Sequence, residues 1–234
     1  MPRRDLVYPP VIGAARVAFF TMGLKLDVRG GEHVPTTGGA VLASNHVSHV
    51  DFIFAGLGAR PSRRLVRFMA KESIFANRLA GPLMRGMHHI SVDRSAGAES
   101  FATALSMLRD GEVVGVFPEA TISRTFQPKE FKSGAARLAQ EAGVPLVPVG
   151  LWGTQRLMTY DSHSSLKQRG VPISIYVGPS VDASGTVDDV TARLRAAVIE
   201  QVQAAQVSYP DDGTGAWWQP ADLGGAAPAR PDSA

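Results

Sequence analysis

The 234-residue sequence predicts an α/β fold: a central, largely parallel sheet flanked by helices, with an N-terminal membrane-associating helical segment. Three observations carry that expectation. Apolar runs of strand length alternate with segments of helical periodicity along most of the chain. Some of these runs are continuous, as in Val113-Val114-Gly115-Val116-Phe117, which suits strands covered on both faces. Apolar residues make up 44% of the chain and charged residues 19%, an ordinary balance for a protein able to bury a full core.

The first apolar run, Val11 to Leu26, contains Val17, Ala18, Phe19, Phe20, Met22 and Leu24, with Arg3, Arg4 and Lys25 at its flanks. It is shorter than the ~20 residues a spanning helix needs. Arg16 interrupts it and no small-residue cleavage site follows, so no signal peptide is expected. An interfacial helix lying on one leaflet fits better, and a buried core helix is the competing reading. Strands are predicted over Leu24–Arg29, Ala40–Ser44, Leu65–Ala70, His89–Asp93, Val113–Phe117, Pro145–Leu151 and Ile173–Val177. Helices are predicted over Ser48–Leu57, Arg78–Met84, Ala96–Arg109, Ser133–Ala142 and Val187–Gln206. This divides the chain into an N-terminal segment (1–29), an α/β domain (30–208) and a Gly- and Pro-rich tail (209–234). The last ten or so residues of that tail have the composition of disorder, and Trp217-Trp218 within it calls for packing on the domain or at a membrane interface.

Composition narrows the function. The chain has no cysteine, which removes disulfides, thiolate nucleophiles and Cys-ligated metals and leaves a reducing compartment as the default. The net charge of +3 is unevenly spread: residues 1–94 hold thirteen Lys/Arg against six Asp/Glu, and residues 181–234 hold three against eight. A basic first half predicts an anionic partner, such as a phosphate, a nucleic acid or an acidic membrane surface. Arginine outnumbers lysine 19 to 5, a pattern that fits a GC-rich bacterial genome.

In an α/β sheet, chemistry collects in the loops that follow the carboxyl ends of strands. Three polar clusters fall there: Asn45–Asp51, Asp93-Arg94-Ser95 and Pro118-Glu119-Ala120-Thr121. In the first, His46 and Asp51 have the residue types of a general base and the carboxylate that orients it. Five residues on one helix rotate ~140°, so the pair meets only if His46 lies in the preceding turn and Asp51 in the first helical turn. Ser48 as N-cap, three residues before Asp51, fits that geometry. The same Ser48-x-x-Asp51 pattern is also a plain capping box.

These clusters resemble the glycerolipid acyltransferase family, whose members acylate glycerol-3-phosphate or lysophosphatidic acid. Its Asn-His-x-x-x-x-Asp motif is matched by Asn45, His46 and Asp51, with Ser48 also at a commonly matching position. Its arginine after a strand is matched by Ile90-Ser91-Val92-Asp93-Arg94, and its Phe-Pro-Glu-Gly-Thr-Arg-Ser by Phe117-Pro118-Glu119-Ala120-Thr121-Ile122-Ser123. Phe131-Lys132-x-Gly134-Ala135 and the strand Val144–Val149 also match, so the resemblance runs from about Gly30 to Pro179. Two departures fall in the third motif: Ala120 replaces glycine, and Ile122 replaces an arginine used near the acceptor phosphate. Arg124 and Lys132 are the nearby candidates to restore that charge.

The resemblance implies direct acyl transfer from acyl-CoA, as co-substrate, to the free hydroxyl of lysophosphatidic acid in phospholipid synthesis, with another lysophospholipid, a glycolipid or glycerol-3-phosphate as the alternative acceptor. His46 and Asp51 would be catalytic, and Asn45, Ser48, Arg94, Glu119, Ala120, Thr121, Arg124 and Lys132 would bind substrate. Arg94 suits a phosphate, because its planar fork binds two oxygens. No Gly-x-Ser-x-Gly elbow occurs, which argues against a serine acyl-enzyme. No cofactor and no metal is expected, since His46, His49 and Asp51 lack an identifiable cluster of further ligands. A nucleic-acid module is disfavoured because basic residues are not interleaved with aromatics. A non-catalytic lipid binder would not need an oriented base. The expected location is peripheral, on the cytoplasmic face of the cell membrane, against an anionic lipid surface.

Overall fold

The computed structural model describes residues 5–93, 97–160 and 163–228. Strands β1 (Lys25–Arg29), β2 (Ala40–Ser44), β3 (Val66–Lys71), β4 (Ile90–Val92), β5 (Val113–Val116), β6 (Leu146–Trp152) and β7 (Pro172–Val177) form one sheet. Their spatial order is β1-β7-β6-β2-β5-β3-β4, and each neighbouring pair is parallel except β6–β7. Every residue of β2, β5, β6 and β7 is buried, as continuous apolar runs require when both faces are covered.

The helices are α1 (Tyr8–Thr21), α2 (Asp51–Gly58), α3 (Glu72–Phe75), α4 (Ala80–Gly86), α5 (Gly97–Arg109), α6 (Gly134–Ala142) and α7 (Val187–Val207). The side-chain alternation of β2 divides the core. Val41 and Ala43 pack with α5, α6 and α7, whereas Ala40 and Leu42 pack with Phe54 and Ala55 of α2 and with Phe19 of α1. Helix α7 buries Val190, Leu194, Val198, Val202 and Ala205, a stripe at helical spacing, and lies directly on β6. Gly150 permits that approach, since a Cβ there would sit 2.4 Å from the Gln201 carbonyl carbon.

The order β6-β2-β5 matters most for function. These strands are adjacent and parallel, so the loops after Ser44, Val116 and Trp152 emerge side by side at one end of the sheet.

Helix α1 is half core and half surface. The Tyr8 hydroxyl donates to the Val66 carbonyl at 2.8 Å, Phe19 stacks on Phe54 at 5.0 Å, and Asp5 pairs with the buried Arg67 at 2.7 Å. The opposite stripe, Gly13, Ala14, Val17 and Phe20, is exposed, with Phe20 86% accessible. The helix ends at Thr21, so the run predicted through Leu26 divides into a helix, a turn and the start of β1. Among the described residues no helix is long and apolar enough to cross a membrane.

One capping expectation is corrected. Helix α2 begins at Asp51 rather than Ser48, and the residue before it, Val50, makes no side-chain cap. The Asp51 carboxylate itself takes the N–H groups of Val47 and Ser48, while the Ser48 hydroxyl turns away to the Met158 carbonyl at 2.6 Å. Residues 209–228 also close over the α7 side of the sheet, where Trp218 and Ala227 join the core.

Candidate active site

The turn after β2 is held before it does any chemistry. Asn45 is fully buried, and its side-chain amide donates to the Leu151 carbonyl at 3.0 Å and accepts from the Leu151 N–H at 2.7 Å. This ties the end of β2 to β6 and fixes where His46 starts. The His46 carbonyl accepts from Ser123 N–H at 2.7 Å, and its N–H donates to the Glu119 Oε1 at 2.9 Å, so the loop after β5 grips the same residue.

Asp51 is completely buried. Its Oδ2 lies 2.9 Å from His46 Nδ1 and accepts the Val47 and Ser48 N–H groups at 2.7 Å each; its Oδ1 accepts the Thr154 hydroxyl at 2.6 Å. Four donors on one carboxylate compensate its burial and fix its orientation. A carboxylate can only accept, so the imidazole Nδ1 carries the proton and Nε2 is the basic nitrogen. The ring stacks on Phe117 at 4.2 Å and keeps 20% of its side chain accessible. An imidazole oriented this way presents Nε2 to take a proton from a hydroxyl. His49, farther along the turn, meets Tyr160 edge-on at 5.0 Å, and burial and the nearby His46 lower its basicity.

The β5 loop supplies a second carboxyl. Glu119 is 5% exposed, and among the described residues no side chain or N–H is placed to bond its buried Oε2. Burial pushes the carboxyl up to about 7, against the pull of the His46 N–H and of nearby Lys129. Ala120 next to it has φ +60°, the left-handed region where glycine is at ease, so the replacement of the resembling family's glycine leaves local strain. Lys129 Nζ donates to the Thr121 carbonyl at 2.6 Å and also to its hydroxyl.

The structure therefore brings together His46, Asp51, Asn45, Ser48 and Glu119, with Ala120 and Thr121 exposed on the turn that follows Glu119. Asn45 and Ser48 are buried and spend their side chains on Leu151, Met158 and Val50. Ile122 is buried, and the exposed Arg124 lies over the Tyr160 ring at 5.3 Å. Lys132 is exposed, with its N–H on the Pro118 carbonyl at 2.9 Å. Arg94 lies outside the described residues. Sequence reasoning missed two residues, Thr154 and Lys129. Neither has a local signature, although the position of Thr154 just after β6 follows the strand-end rule used for the other loops.

Glu119 gives a stability test with a definite sign. Its carboxyl titrates near 4.5 when unfolded and about 7 when folded, so in that window the folded state keeps a proton the unfolded state has lost. The stability tied to this group is complete below 4.5 and is lost as pH rises toward 7. Glu119→Gln should therefore raise the urea midpoint at pH 8, by at most about 3 kcal/mol of stability, with the gap closing by pH 5. A gap that widens on acidification would show that Glu119 is not the strained group.

The chain is similar to known proteins in sequence and in fold. A family model described as Acyltransferase matches residues 25–152. The 1-acyl-sn-glycerol-3-phosphate acyltransferase of Bacillus subtilis is 36% identical over 135 residues, a match covering 55% of this chain and 66% of that protein. The protein of the same name from Borreliella burgdorferi is 23% identical over 200 residues, covering 82% and 77%. The crystal structure of the 1-acyl-sn-glycerophosphate (LPA) acyltransferase from Thermotoga maritima superposes with a TM-score of 0.71 at 20% identity, covering 90% of this chain and 86% of that one.

Proposed function

The chain belongs to the acyltransferase family, whose model spans residues 25–152, and on that premise we propose that it acylates lysophosphatidic acid in phospholipid synthesis, with acyl-CoA as donor. The observation that carries this reading is the His46–Asp51 contact at 2.9 Å, with the carboxylate fully buried and the imidazole reaching the surface. His46 Nε2 removes the proton of the acceptor hydroxyl as that oxygen attacks the thioester carbonyl. The tetrahedral intermediate then collapses, the C–S bond breaks, and the imidazolium returns its proton to the leaving thiolate. Asp51 fixes the ring and stabilises the imidazolium through both steps.

Glu119 contributes differently. A buried carboxyl oxygen with no partner among the described residues, on the side chain that holds the His46 N–H, suits a donor from the acceptor, such as a second hydroxyl of the glycerol backbone. Ala120 and Thr121 form the turn under that group. Around this centre the acceptor phosphate would meet Arg94, assigned by resemblance, together with Lys129, Arg124 or Lys132 in place of the cation that Ile122 removes. Asn45 and Ser48 act by holding the turn. The names carried by the Bacillus and Borreliella relatives support lysophosphatidic acid as acceptor. Ile122, buried where an arginine is expected, favours one second reading: another lysophospholipid or a glycolipid as acceptor.

The test is a product profile. Purified protein is offered acyl-CoA with lysophosphatidic acid, glycerol-3-phosphate, a lysophosphodiester and a glycolipid, and phosphatidic acid should form fastest. Faster acylation of a phosphodiester or glycolipid would overturn the acceptor, and no transfer to any of them would overturn the reaction.

Attachment to the cytoplasmic face of the membrane is part of the same proposal. It rests on the exposed stripe of α1, with Val17 and Phe20 at 64% and 86% exposure beside Arg16 and Lys25. Binding to vesicles should rise with acidic lipid content, fall with added salt, and drop on Phe20→Glu. Binding indifferent to both lipid charge and Phe20→Glu would rule out this surface.

A further inference from the structure

We propose that Thr154 is a positioning residue for the transfer reaction: its hydroxyl fixes the second oxygen of Asp51, and through it the His46 imidazole. The inference rests on the catalytic reading of the His46–Asp51 pair. Asp51 Oδ2 takes three donors from its own turn, but among the described residues Oδ1 is held by the Thr154 hydroxyl alone, at 2.6 Å, from 103 residues along the chain. Both side chains are completely buried, so no water can replace that bond without opening the fold.

Thr154 stands on a loop built to be rigid. Gly153 before it has φ +94°, and a Cβ there would fall 2.2 Å from the Pro172 carbonyl oxygen. The Gly153 N–H donates to Gln155 Oε1 at 2.9 Å, and the Gln155 side-chain amide donates to the Trp218 carbonyl at 3.2 Å. Arg156 binds Asp211 and lies over the Trp218 ring at 4.8 Å. At its far end the loop touches the catalytic turn again, where the Met158 carbonyl accepts from Ser48 Oγ and from His49 N–H. The loop after β6 thus braces the His46–Asp51 turn at two points, and the segment after α7 clamps the loop.

Loss of the hydroxyl leaves Oδ1 buried without a donor and lets the carboxylate rotate about the three bonds that remain. That harms the step in which the imidazolium forms more than it harms substrate binding. Thr154→Val should therefore lower kcat about 10- to 100-fold with either KM changed less than about threefold, and Thr154→Ser should restore most of the activity. A double-mutant cycle separates this from a packing effect: in an Asp51→Asn background, Thr154→Val should lower kcat by less than about twofold more. Should the valine variant fail to fold, Thr154→Ala takes its place in the cycle, and failure of both would make the role structural and end the proposal. A near-normal kcat for Thr154→Val, a serine variant as impaired as valine, or additive losses in the cycle would overturn it. If Asp51→Asn itself leaves kcat near normal, it is the catalytic reading of the pair that falls.

Discussion

His46→Ala is expected to lower kcat by about 10²- to 10⁴-fold or more while leaving the fold intact, because a positioned general base contributes on that scale. Retention of the fold follows from what the substitution spares. The backbone N–H and carbonyl of residue 46 still bond Glu119 and Ser123, and Asn45 still ties the turn to Leu151. The side chain itself is partly exposed and gives up its stack on Phe117 and one of the four donors to Asp51, whose carboxylate keeps the Val47 and Ser48 N–H groups and the Thr154 hydroxyl. Thermal unfolding should shift by no more than a few degrees. Steady-state rates with acyl-CoA and lysophosphatidic acid decide the matter: a variant that keeps most of its kcat would mean that another group takes the proton.

The parts of this site that were legible in sequence are those whose geometry is local. His46 and Asp51 stand five residues apart, and the argument that they meet only across a turn–helix junction needs no distant residue; helix α2 does begin at Asp51. The strand Ala40–Ser44 was legible to the residue because both of its faces are buried and its apolar run has sharp ends. Helix α7 was legible because its buried stripe repeats over 21 residues. The four-residue α3 was missed, being too short to carry a period.

Non-local bonds account for the rest. Serine is a common cap, but helix α2 starts three residues after Ser48, at Asp51, and the Met158 carbonyl, 110 residues away, claims the Ser48 hydroxyl. Thr154 is one threonine among many until the sheet order brings β6 beside β2. The segment after Ser208 has the composition of a tail, yet burial of Trp218 outweighs its Gly and Pro content and makes it part of the core. For the cation missing from the third motif the sequence offers Arg124 and Lys132, whereas the fold brings Lys129 to the Thr121 turn and Arg124 to Tyr160.

Asp51→Asn separates the two readings that the sequence left open, an orienting carboxylate and a capping residue. The amide oxygen can occupy the Oδ2 position and still accept from Val47, Ser48 and His46, while its NH₂ falls at Oδ1, where the Thr154 hydroxyl can turn to accept. The capping bonds are therefore preserved and only the negative charge is lost. If Asp51 served the helix alone, Asp51→Asn would be close to neutral in both stability and rate. If it stabilises the imidazolium, kcat should fall about 10²- to 10⁴-fold with little change in either KM or in the circular dichroism spectrum. Asp51→Ala is the complementary control: it strands the Val47 and Ser48 N–H groups in a buried site and should destabilise the fold by about 1–3 kcal/mol for each donor left unpaired. An asparagine variant within tenfold of the parent rate, beside an alanine variant that unfolds, would reduce Asp51 to a structural cap and leave His46 without its proposed partner.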